Sequence, residues 1–144
     1  MPTFGRQKKP GLSRFIPLML IALVAYHAAV AAGHDFASHE SPETLHFTLV
    51  SGATLFAGWN VALLAGGLVL LFLELLKSTR TTAKATTEHI LSVLVFIIFL
   101  VEFIVVPAAG TAVFALLGLM SLIDLMAGYA ISIAVAQRDL NITE

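Results

Sequence analysis

The chain has no cysteine among its 144 residues. That absence excludes a disulfide framework, a thiolate metal site and a cysteine nucleophile, and it leaves the redox compartment open. Charge is almost as scarce, with 12% of residues Asp, Glu, Lys or Arg against 58% hydrophobic. No basic patch lies outside the short polar segments, so nucleic acid is not an expected partner. A phosphate-binding glycine loop and a nucleophile triad are also missing. So is a His-Glu-x-x-His pattern, because His39 and His46 stand seven residues apart. An enzyme is therefore not expected.

What is present is apolar and continuous. Mean hydropathy is +0.94, more apolar surface than a soluble domain of this length can hide. A crossing of the roughly 30 Å hydrocarbon core takes about 20 apolar residues, and four such runs follow one another. The expected fold is all-α: a polytopic membrane protein forming one domain, 1–144, as an up-down bundle of four transmembrane helices.

Residues 1–14, with Arg6, Lys8, Lys9 and Arg14, read as a cytoplasmic tail. A first helix spans 15–33, with Pro17 tolerated in its opening turn, where the missing amide hydrogen is not needed. A secretory signal is the rival reading, since a basic stretch leads into apolar residues ending in Ala29-Val30-Ala31-Ala32. The apolar part is longer than the usual ~7–15 residues of a signal, which favours an uncleaved helix. After an outer segment, 34–45, the second helix covers 46–76. Ser41-Pro42-Glu43 has the order of an N-cap, a first-turn proline and a first-turn acid for turns that begin in water.

A Thr-rich cytoplasmic loop, 77–88, carries Lys77, Arg80 and Lys84. The third helix, 89–106, ends at Pro107-Ala108-Ala109-Gly110, where proline stops the ladder and glycine permits reversal. The fourth spans 111–136 and leaves a cytoplasmic tail, 137–144. All eight Lys and Arg fall in the two tails and the 77–88 loop, while the outer segment holds Asp35, Glu40 and Glu43. The positive-inside rule and four-span parity agree, placing both termini in the cytoplasm of a bacterial inner membrane. Asn141-Ile142-Thr143 would be silent there as a glycosylation acceptor.

Helices in lipid associate through small residues and hydrogen bonds. Ala25, Ala29 and Gly33 form one small face on the first helix, and Thr54, Gly58, Ala62 and Gly66 another on the second. A second face at Ala53, Ala57 and Gly67 makes the second helix the expected centre of the bundle. Gly128 and Ser132 continue a small face on the fourth. The third helix is bulky from Ile90 to Val106, which suits contact with lipid or another subunit.

An acid at the bilayer centre costs about 2.5–3.5 kcal/mol, so Glu102 and Asp124 need partners or a function. At about 1.5 Å per residue they lie roughly 13 Å apart in depth, too far to act as a dyad. Depth counting pairs His27 with Glu102 and places Asn60 near Asp124. His34, His39 and His46, among Asp35, Glu40 and Glu43, are candidate ligands for Zn²⁺ or Cu²⁺, although the spacing is not diagnostic. Haem would need facing histidines at one depth, and only His27 is deep. Trp59, Tyr26 and Tyr129 read as packing and interfacial aromatics. No cofactor follows from these residues.

The leading expectation is a small accessory or scaffolding subunit of a larger membrane complex, with the lipid bilayer and other membrane subunits or further copies of itself as partners. One alternative is an oligomeric proton-coupled transporter or channel using Glu102 and Asp124. It is weakened by the lack of an inverted repeat and of a helix broken at mid-membrane, Gly66-Gly67 being the nearest approach to one. The other alternative is a metal- or haem-binding membrane protein using the outer histidines.

Overall fold

The computed structural model describes residues 16–37, 45–78 and 85–141. Four α-helices dominate: α1 (Met19–Ala31), α2 (Trp59–Ser78), α3 (Ala85–Val105) and α4 (Ala112–Asn141). A short β-hairpin, β1 (Leu45–Thr48) with β2 (Thr54–Ala57), precedes α2, and a 3₁₀ turn at Pro107–Ala109 joins α3 to α4. The chain is mostly helical, so an all-α core stands. Two helices are long and apolar enough to cross a membrane, Trp59–Ser78 and, within α4, Ala112–Ala134. The apolar parts of the other two, Met19–Ala31 and His89–Val105, are shorter.

The hairpin corrects the expectation of one helix over 46–76. His46-Phe47-Thr48 and Thr54-Leu55-Phe56 are rich in β-branched and aromatic residues, and Gly52 takes φ 81° in the turn between them. Those preferences outweigh the continuous hydropathy that suggested a helix, and α2 begins at Trp59. The Ser41-Pro42-Glu43 cap lies outside the described residues, as do the tail 1–14, positions 79–84 and residues 142–144.

α1 ends in a Schellman motif. Gly33 takes φ 95°, its N–H donates to the Val30 carbonyl, and the His34 N–H reaches back to Ala29. Gly33 thus closes the helix instead of extending a small contact face. At the other reversal Gly110 has φ −73°, so left-handed freedom is not what the position uses. A side chain there would press on the Pro107 carbonyl, its Cβ 3.3 Å away. Thr111 caps α4, with its Oγ1 accepting from the Phe114 N–H at 3.2 Å.

Consecutive helices are antiparallel, with Leu18 beside Glu74 at one end of the α1–α2 pair and His34 beside Trp59 at the other. Phe99 meets Phe114 and His89 meets Tyr129 in the α3–α4 pair. The centre is α4, which packs on all three other helices, and not α2 as the small faces suggested. Its inward stripe, Val113, Phe114, Leu117, Ser121 and Asp124, is buried at three- and four-residue spacing. α1 contributes Met19, Ala22, Leu23, Tyr26 and Ala29 to the same core.

The contact between α2 and α4 is made at Gly67, where a Cβ would meet Leu117 Cδ2 at 2.6 Å and Met120 Sδ at 3.2 Å. Gly66 faces open space. The expected face through Ala62 and Gly66 is therefore exposed, and Gly67 is what lets the two backbones approach. The paired variants Gly67→Ile and Gly66→Ile make the same change in helix propensity. Gly67→Ile is expected to destabilise the protein by about 1–3 kcal/mol through overpacking, and Gly66→Ile to leave it near wild type, as read by equilibrium unfolding in detergent.

Candidate functional site

The described polar side chains of the helices gather in two layers, one at each end of the bundle. The outer layer is built on α1. Tyr26 is fully buried, and its hydroxyl donates to the Ala108 carbonyl at 2.7 Å and lies 2.8 Å from Thr111 Oγ1. Because Thr111 also caps α4, the link holds α1 to the turn between α3 and α4. Phe36 stacks on the Tyr26 ring at 5.0 Å and Phe114 meets it edge-on at 4.8 Å, so the hydroxyl sits at the end of a packed aromatic group.

One residue along α1, His27 Nε2 lies 2.6 Å from Glu102 Oε2 of α3, the hydrogen bond that depth counting expected. The pair is not sealed in the core. Its side chains are 40% and 26% exposed, respectively, so it opens on the bundle surface between α1 and α3.

The inner layer centres on Glu74, a residue the sequence reading passed over. Glu74 is 4% exposed, and its Oε2 accepts the Leu18 backbone N–H at 2.5 Å. Its Oε1 accepts from Lys77 Nζ at 3.1 Å, and Lys77 also donates to the Ile16 carbonyl at 3.4 Å. The carboxylate of one helix therefore caps the N-terminus of another, where free N–H groups and the helix dipole favour an anion. Leu18 has no side-chain cap of its own, and Glu74 fills that role. The signal was there to read: an acid inside the apolar run from Val61 to Leu76.

Asp124 belongs to the same layer. It is 3% exposed, hydrogen-bonds Ser92 of α3 and lies within electrostatic reach of Glu74 and Lys77. Ser121, one turn away on the buried stripe, is 1% exposed, and its hydroxyl has no hydrogen-bond partner among the described residues. Among the described residues Lys77 pairs with Glu74 alone, and Asp124 lies near this pair without an ion pair of its own to Lys77. Glu102 and Asp124 occupy different layers and do not meet.

Asn60 does not approach Asp124. With α2 starting at Trp59, Asn60 lies two turns before Gly67, toward the hairpin, and its buried Oδ1 has no partner. His89, on α3, lies near Gly128 and 6.0 Å from the Tyr129 ring, and its Nδ1 is likewise buried without a partner.

The outer histidines go separate ways. His34 rests against Trp59 with ring centres 4.5 Å apart, His46 meets Phe56 edge-on at 4.9 Å, and His39 lies outside the described residues. Among the described residues no three His, Asp or Glu side chains converge to hold a metal ion. His27 is bonded to Glu102, and among the described residues it faces no second imidazole.

Cavities follow the same division. A groove between α3 and α4 is lined by aromatic and aliphatic side chains including Phe96, Phe99, Phe103 and Leu119. At about 200 Å³ it is smaller than the roughly 300–1,000 Å³ of small-molecule sites and lacks their convergent polar groups. No known family model, curated protein or solved structure matches this chain.

The two layers make different stability predictions for equilibrium unfolding in detergent. Tyr26→Phe removes the hydroxyl links and is expected to cost about 1–2 kcal/mol, toward the upper end for interhelical hydrogen bonds in membrane proteins. Glu74→Leu orphans a backbone N–H and an ammonium and is expected to cost about 1–3 kcal/mol. Glu74→Gln keeps an acceptor and should fall between Glu74→Leu and wild type.

Proposed function

We propose that the protein is a small integral membrane subunit that scaffolds or accompanies a larger membrane complex, with all four helices crossing the bilayer. Both termini lie on the side where the Lys and Arg residues concentrate, the cytoplasmic face of a bacterial inner membrane. Two helices of spanning length and composition support the crossing, as does the confinement of all eight Lys and Arg to the tails and the 77–88 loop.

The observation that carries the subunit reading is the His27–Glu102 pair. Its side chains open on the bundle surface, with Glu102 less than one turn from the end of α3, among exposed Val24, Ile98, Val101 and Val105. Polar groups at membrane depth seldom face lipid and are normally turned toward protein. A partner helix laid along α1 and α3 would cover the pair and the bulky ridge together. The interior supports the same reading, because Glu74, Tyr26 and Thr111 are taken up in bonds between the protein's own elements.

Purification in mild detergent tests it. Wild type is expected to retain a membrane partner in stoichiometric amount, and the double variant His27→Phe with Glu102→Leu to lose that partner while keeping its unfolding midpoint. Recovery of the wild type alone, from its native membrane and without partner, would remove the proposal.

One observation favours a second reading. Asp124 is buried one turn from Ser121, whose hydroxyl has no partner among the described residues, and acids at membrane depth often mark proton pathways. In that reading an oligomer moves protons through the inner layer, and Asp124→Asn abolishes a flux measured in liposomes. An accessory subunit gives no flux in the wild type either.

A further inference from the structure

The β-hairpin is two-faced, and its apolar face is uncovered. Its register pairs Leu45 with Ala57, His46 with Phe56, Phe47 with Leu55 and Thr48 with Thr54. Paired residues share a face and successive residues alternate. Leu45, Phe47, Leu55 and Ala57 therefore lie on one side, with Leu49 and Ala53 continuing it into the turn, where the Leu49 N–H donates to the Ala53 carbonyl at 2.9 Å. The other side presents His46, Thr48, Thr54 and Phe56. None of residues 45–57 carries a formal charge when His46 is neutral. All but Ala57 are exposed, with Phe47 at 52% and Leu55 at 53%. A lone two-stranded ribbon is marginal in water without something packed on an apolar face.

We infer that the apolar face of this hairpin lies on the lipid surface of the outer leaflet, an inference that rests on the membrane-spanning reading above. Three features select lipid as the occupant. Gly58 alone separates β2 from α2, so the ribbon sits at the mouth of a spanning helix, at the end of the bundle away from Lys77. Trp59, half-exposed at that junction, is the residue type that concentrates at the membrane–water boundary. The absence of charge across the ribbon removes the desolvation cost that would keep it off the interface, while the Thr48, Thr54 and His46 face can stay in water.

Depth is limited as well. Among the described residues the ribbon has two open edges whose N–H and C=O groups have no ladder partner, and such edges do not enter the hydrocarbon. It lies flat among the headgroups, the strand counterpart of an interfacial amphipathic helix. Phe47 and Leu55, opposite one another, make its deepest contact.

The lack of cysteine allows single-site labelling of the full chain. Nitroxides are placed one at a time at Phe47, Leu55, Thr48 and Thr54, with controls at Leu68 and Val101 on exposed helix faces, in nanodiscs of mixed phosphatidylcholine and phosphatidylglycerol. Collisions with oxygen and with a water-soluble nickel chelate are then compared. The expected result is a two-residue alternation, with the oxygen-to-nickel ratio severalfold higher at 47 and 55 than at 48 and 54, and high at both controls. High controls with all four hairpin sites open to nickel would overturn the inference and leave the spanning reading intact. Shielding of 47 and 55 from both reagents would overturn it in favour of a protein partner or a second copy. Nickel access at the controls would overturn the spanning reading and this inference together.

Discussion

Backbone and side-chain polar groups in an apolar medium must find their partners inside the protein, and this bundle meets that demand mainly at its two ends. At the inner end Glu74 ties the start of α1 to the end of α2 through the Leu18 N–H. At the outer end Tyr26 ties α1 to the α3–α4 turn through Ala108 and Thr111. The partners are 56, 82 and 85 residues apart in sequence. Each bond therefore fixes relations between elements that local propensity cannot set. Between the layers the contacts are apolar and close, made by Gly67 against Leu117 and by Phe99 against Phe114.

The division of labour follows from where each interaction is strong. Tyr26 and Glu74 are buried, so a hydrogen bond there competes with few alternatives, and an unmade one is costly. In the membrane-spanning reading the mid-bundle contacts would gain little from the hydrophobic effect, since lipid tails are as apolar as the side chains they replace. Close packing at Gly67 supplies dispersion contact that a larger residue would prevent. Polar layers set orientation, and the glycine sets distance.

Much of this was legible in sequence wherever a helix end could be counted from. His27 and Glu102 were paired correctly because both are measured from outer ends that Gly33 and Pro107 mark plainly. The same count failed for Asn60, because continuous hydropathy concealed the hairpin and displaced the start of α2 by thirteen residues, from 46 to Trp59. The role of Glu74 was not legible in the same way, because only tertiary structure brings its carboxylate to the Leu18 N–H at the start of a different helix. Choosing between Gly66 and Gly67 was beyond a spacing argument, as they differ by about 100° around one helix, and the structure alone says which side faces α4.

The Tyr26 link also has a bearing on how the chain comes together. A polypeptide emerges N-terminus first, so α1 and α2 are available to each other before α3 exists, and the Glu74 cap on Leu18 needs nothing from later in the chain. Tyr26 must wait, because its acceptor lies in the α3–α4 turn. In the finished fold the phenol at one end of the first helical pair and the Gly67 recess along its side are filled from the second pair, by Ala108 and Leu117 respectively.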